Sequence, residues 1–166
     1  MFQCDDYVIY STHGVCRIVS VETRQIDRKS IDYFVLVPIY QSQSKFYIPQ
    51  NNEAAVSKLR AVLSPDELQN LLLRHKNENV NWIVNEALRK NAYKELLISG
   101  DRDAILSMII AVSNHQLAVE AEGKRIHACD ENFLKDAKKM MNTEFSFVLQ
   151  IPLSEVESYV EKILTA

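Results

Sequence analysis

Glycine is scarce in this chain, with three in 166 residues. Loops that cradle phosphates need several glycines so that the backbone can approach the ligand, and none of the nucleotide-binding, nucleophile-elbow or metalloprotease patterns occurs. Cysteine is equally sparse. Cys4, Cys16 and Cys129 are an odd, widely spaced set without a CxxC, which suggests neither a disulfide framework nor a zinc site. No apolar run of membrane-spanning length is read, and residues 1–6 are short and acidic rather than a secretory leader. A reducing cytoplasm is therefore the expected compartment, with no membrane partner. Excess positive charge is also missing. Lys and Arg number 19 against 22 Asp and Glu, a net charge of −3, which excludes a protein held on nucleic acid by bulk charge alone. DNA contact made while docked on another protein stays open.

The catalytic inventory is thin. His75, His115 and His127 lie far apart without a ligand-spaced partner, and Cys4 and Cys16 have no evident neighbouring base. Asp101 and Asp103 sit where a helix start explains them. Neither an enzyme, a metal site nor a cofactor is expected.

What is present is an apolar content of 47%, enough for a real core in one or two small domains. Residues 2–49 alternate in the manner of β-strands. Residues 7–10 form a short strand, His13-Gly14 a turn, and residues 15–24 a longer strand with Val15, Arg17, Val19 and Val21 on one face. A polar turn at 27–30 leads to the most apolar strand, 31–37. A loop at 41–44 precedes a last strand, 45–49, ended by Pro49. About five short strands with tight connections predict a small antiparallel barrel of Tudor or SH3 type, over residues 1–52.

Residues 53–166 read as a bundle of about five helices, so the fold class expected is α+β. Residues 51–63 form a linker running into a first helix. Ser64-Pro65-Asp66-Glu67 combines an N-cap, a proline at the first helical position and a capping box. Asp101 is placed to cap a helix over 102–122 that Gly123 ends, and Asp130 to cap one over 131–149. Ser154 with Glu157 would open a terminal helix.

The stretch 81–101 holds the only tryptophan and reads as a helix ended by Gly100. At about 100° per residue, Val80, Val84, Ala87, Asn91 and Ile98 fall on one side. Trp82 falls opposite, aligned with Glu86, Arg89 and Tyr93. A large aromatic sharing a mostly polar face with an arginine is the candidate binding feature, and a second packing contact for Trp82 is the structural alternative.

Taken jointly, these residues resemble the CarD/CdnL family of bacterial RNA polymerase-binding transcription regulators. The N-terminal part is also similar to the polymerase-interacting domain of the transcription-repair coupling factor Mfd. The likeness rests on Phe2 with Asp6-Tyr7-Val8-Ile9-Tyr10, His13-Gly14-Val15, Glu22-Thr23-Arg24, Tyr33-Phe34-Val35-Leu36 and Lys45-Phe46-Tyr47-Ile48-Pro49. Further along it rests on Asn81-Trp82-Ile83, Ser99-Gly100-Asp101-Arg102, Gly123-Lys124, Asp130-Glu131-Asn132-Phe133 and Glu144-Phe145.

The resemblance implies a barrel docked on the polymerase β subunit through Arg24, Lys45, Phe46, Tyr47 and Ile48. It implies a helical domain that meets promoter DNA at the upstream bubble edge through Trp82, Arg89, Lys90, Tyr93 and Lys94, and so stabilises the open complex. A monomer is expected, a domain-swapped dimer being the other option. The chain departs from the family at Asp5, where glycine is usual, and at Ser11, where proline is usual. Ala87 and Ala92 stand at positions expected to be basic. From residue 61 onward there are 12 basic and 16 acidic residues, so DNA affinity without polymerase should be weak. The alternative reading is a divergent protein-interaction module that binds polymerase, or another protein, without engaging DNA.

Overall fold

The computed structural model describes residues 1–166, the side chain of Thr12 excepted. The chain divides into two compact units, Met1–Leu63 and Ser64–Ala166.

The first unit is a five-stranded antiparallel sheet. Strands β1 (Tyr7–Tyr10), β2 (Val15–Ile26), β3 (Lys29–Pro38), β4 (Phe46–Pro49) and β5 (Leu59–Ala61) lie in the order β4-β3-β2-β1-β5. Asp27 and Arg28 both take positive φ, as the two-residue turn between Ile26 and Lys29 requires. That turn sets the long β2–β3 register, with Arg24 opposite Ile31 and Glu22 opposite Tyr33, until a bulge between Ile18 and Ser20 shifts it. Val8, Cys16, Ile18, Phe34, Leu36, Ile48 and Leu59 form the core, so both outermost strands contribute to one cluster.

The ladder is open between β4 and β5 rather than hydrogen-bonded shut into a barrel. The tract read as a linker and helix start holds a one-turn helix α1 (Glu53–Val56) and then β5, which pairs with β1. The compact unit therefore extends to Leu63 and not to residue 52. Asp5 takes φ 72°, retaining the left-handed backbone that a glycine would supply there. Ser11 takes φ 46°, which a proline ring does not allow.

The second unit comprises helices α2 (Pro65–Arg74), α3 (Glu86–Ser99), α4 (Arg102–Ala121), α5 (Ala128–Leu149) and α6 (Leu153–Thr165). The predicted capping box opens α2: Ser64 Oγ accepts from Glu67 N–H at 3.2 Å, and the Glu67 carboxylate accepts from Ser64 N–H at 2.8 Å. Gly100 closes α3 in the left-handed conformation, and Asp101 caps α4 by accepting from Ala104 N–H. By length and composition α4 would suit a bilayer; here it packs on α5 and buries Ile105, Leu106, Met108, Ala111 and Val112.

Two expected caps are replaced. Helix α5 starts three residues early, at Ala128 after His127, which leaves Asp130 inside its first turn. Helix α6 starts at Leu153 after Pro152, without a side-chain cap from Ser154. Arg102 clamps the buried Glu144 carboxylate at 2.9 and 2.6 Å, tying the start of α4 to α5.

Candidate functional site

Side chains opposite one another in an antiparallel pair share a face. On the outer face of the sheet the register therefore aligns Glu22 and Arg24 of β2 with Tyr33 of β3, and Tyr47 of β4 with Val35. The Arg24 guanidinium carbon lies 4.2 Å from the Tyr47 ring centroid and 5.7 Å from that of Tyr33, and an exposed ion pair to Glu22 steadies it at 3.5 Å. Stacked this way, the guanidinium keeps its edge free for a partner's carboxylate or carbonyl while the tyrosines offer apolar area. Strand β4, at the end of the ladder, pairs only with β3 among the described strands. Its outer edge is open to an added strand.

Of the five residues expected to dock, Arg24, Lys45 and Tyr47 are exposed. Phe46 and Ile48 are corrected: alternation along β4 turns both toward the core. Ile48 is buried within it, and Phe46 packs against Tyr10 and His13 at 5.3 and 4.2 Å between centroids. Tyr33 was absent from the predicted set. The two-residue turn at 27–28, read as a longer turn over 27–30, places it opposite Glu22 and one pair away from Arg24.

The tryptophan site lies in the second unit. Trp82 is not on a helix. Asn85 caps α3 by accepting from Leu88 N–H at 3.0 Å, so the chain before it is irregular and the helical projection does not extend back to Trp82. The indole, half-buried, stacks on His115 of α4 with centroids 3.8 Å apart and planes 9° from parallel. The Arg89 guanidinium carbon sits over the same ring at 4.5 Å. An imidazole stacked flat at that distance fills one face, so Arg89 takes the other.

Arg89 and Tyr93 are corrected as well. Both are 3% exposed, and the side predicted to be polar and free is the buried one. Arg89 Nε and Nη2 each donate to an Asp130 carboxylate oxygen at 2.8 Å, and Nη1 donates to the Ile83 carbonyl at 2.9 Å. Tyr93 meets Phe133 edge-on at 5.8 Å. The side opposite, with Val84 and Ile98, is outside instead: these two are 85% and 74% exposed, and Leu88 beside them is 64% exposed. An apolar count could not anticipate this, because a two-pronged buried ion pair and a tyrosine outweigh the aliphatic side chains opposite. Lys90 and Lys94 are exposed, with Lys90 paired to Glu86 at 2.9 Å.

Asp130 holds the Arg89 guanidinium firmly charged despite its burial. Burial pushes the Cys16 thiol up to about 11, which leaves no thiolate near neutral pH and removes it as a nucleophile. Among the described residues no group of three or more His, Cys, Asp or Glu is placed to hold a metal ion.

Residues 2–60 match the family model of the CarD-like/TRCF RID domain. The match runs from the residues before β1 into β5, past residue 52. The family so matched is one of RNA polymerase-interacting domains, a class defined by protein docking and not by a known enzymatic activity. The matched family is the one that the sequence motifs of the strands also indicate.

Proposed function

We propose that the protein is a transcription regulator, and not an enzyme, that docks on the β subunit of RNA polymerase in the cytoplasm through the outer face and open edge of its sheet. Arg24, Tyr33 and Tyr47 form the anchor, with Lys45 at its end. The observation that carries this reading is the exposed Arg24–Tyr47 stack on a unit that matches the polymerase-interacting domain family. Aromatic residues and arginine are the types that concentrate binding energy at protein interfaces.

In the same proposal, the helical unit works at the upstream edge of the promoter bubble. The exposed part of the Trp82 indole meets the unstacked step, and Lys90 and Lys94 meet phosphates. Arg89 acts by positioning Trp82 and touches no DNA. Docking on polymerase supplies the effective concentration that an acidic unit lacks on its own. Tighter binding to the open than to the closed complex shifts that equilibrium, about fivefold per kcal/mol of difference. The test is open-complex lifetime with purified polymerase. Wild-type protein should extend it, and Trp82→Ala and Lys90→Glu/Lys94→Glu should each remove most of the extension while polymerase binding is kept. An unchanged effect in both variants would contradict the DNA contact.

The second reading, a module that binds polymerase without engaging DNA, is favoured by the covered faces of Trp82 and the burial of Arg89. It predicts that these variants regulate as the wild type does.

A further inference from the structure

The helical unit contains a half-open cavity of about 520 Å³ between α4, α5 and α6, with neither Trp82 nor His115 in its lining. Protein interiors close-pack, with few voids larger than a water molecule. A gap of this size falls instead within the range of ligand pockets. Three helices each turn a continuous stripe toward it. Ile109 and Ile110 of α4, Met141 and Phe145 of α5, and Val160 and Leu164 of α6 supply the apolar walls. Leu106 of α4 also lines it, three and four residues from Ile109 and Ile110, and the pairs on α5 and α6 are each four apart, so the stripes follow helical periodicity. Helix α6 packs on α5 and α2, which leaves the cavity as the space between it and α4.

The polar rim carries one sign in excess. Glu78, Glu157 and Glu161 stand against Lys138 and His75. Lys138 is taken by its ion pair with Glu157, and Glu78 is held by His75 Nδ1 at 2.5 Å and by Ser107 Oγ, which donates at 2.9 Å. Glu161 has no ion pair among the described residues, although it sits one position from Val160 and three from Leu164 on the wall. An apolar chamber with one uncommitted carboxylate at its mouth complements an apolar body bearing a positive charge. A carboxylate ligand would meet repulsion from the same rim.

We propose that this cavity binds a small amphipathic organic cation, its hydrocarbon portion between α4, α5 and α6 and its ammonium group against Glu161. Neither the polymerase-docking face nor Trp82 enters the argument, so this site stands or falls independently of them.

The full chain is titrated with n-octylamine and with n-octanoate below their micellar concentrations, at one pH and ionic strength, followed by methyl NMR and calorimetry. Octylamine should shift the methyl signals of Ile110, Met141 and Leu164 and bind at least tenfold more tightly than octanoate. Glu161→Gln, an exposed substitution that should leave the far-UV circular dichroism unchanged, should reduce that preference severalfold. Ile110→Lys, which puts a positive charge on the apolar wall, should remove octylamine binding. Equal binding of the two probes, unmoved cavity methyls, or full amine preference in Glu161→Gln would overturn the proposal.

Discussion

Arg89 and Asp130 are joined fork to fork, with two N–H···O bonds of 2.8 Å and side chains 3% and 0% exposed. This pair fixes which side of α3 faces inward and carries the ring of Trp82 on its guanidinium. Removing one partner strands a buried charge, so Arg89→Ala should lower the unfolding free energy by about 3–5 kcal/mol. The double variant Arg89→Met/Asp130→Leu leaves no orphan charge and should lose much less. Urea denaturation of the three proteins measures both, and an equal loss in the single and double variants would show that charge pairing is not what the site depends on.

The single tryptophan makes its own environment measurable. With His115 on one face and Arg89 on the other, the indole of Trp82 should resist acrylamide more than a solvated tryptophan does. His115→Ala should uncover one face, raise the quenching constant and move the emission to longer wavelength. The signal reports on this site alone, because no other tryptophan contributes.

His75 bridges two carboxylates, with Nδ1 2.5 Å from Glu78 and Nε2 2.8 Å from Asp103. Burial alone would lower its pKa, but the hydrogen bonds to Glu78 and Asp103 outweigh it and raise the pKa above the ordinary 6.5. The folded state thus holds the proton more tightly. This contribution to stability is fully present below 6.5 and is lost as pH rises through the folded pKa. Unfolding free energy measured upward from about pH 6 should fall with a slope that His75→Gln removes. An identical slope in the variant would assign the effect elsewhere.

Strand β5 pairs with β1 and places Leu59 in the sheet's core. A fragment ending at Leu63 should therefore unfold cooperatively, whereas one ending at residue 52 lacks an outer strand and part of the core and should not. Thermal melts followed by circular dichroism separate the two.

Much of the sheet was legible because its signals are local. Strand β1 starts and ends where predicted, while the turn read at 27–30 narrows to residues 27–28, because Lys29 and Ser30 pair with Ile26 and Gln25. The starts of α2 and α4 were legible for the same reason, since Ser64, Glu67 and Asp101 act within one helical turn. Strand β5 was not, because three residues, Leu59-Arg60-Ala61, are too short to show alternation and are a strand only through β1. The tryptophan site was half legible. Trp82 and Arg89 do meet, but Asn85 ends the helix between them, and the partners that give the contact its form, Asp130 and His115, are 41 and 33 residues from Arg89 and Trp82 respectively. No spacing rule along the chain reaches that far. Asp130 was noticed as a cap, a role its position inside the first turn of α5 gives up to Arg89.

The central claim, docking of the sheet on polymerase through Arg24, is tested most directly by titrating the purified protein against an isolated β-lobe fragment of RNA polymerase. The account predicts saturable binding that Arg24→Glu weakens at least tenfold, about 1.4 kcal/mol, with the sheet still folded. Absence of binding at tens of micromolar, about 6 to 7 kcal/mol of affinity, or equal binding by Arg24→Glu, would contradict it.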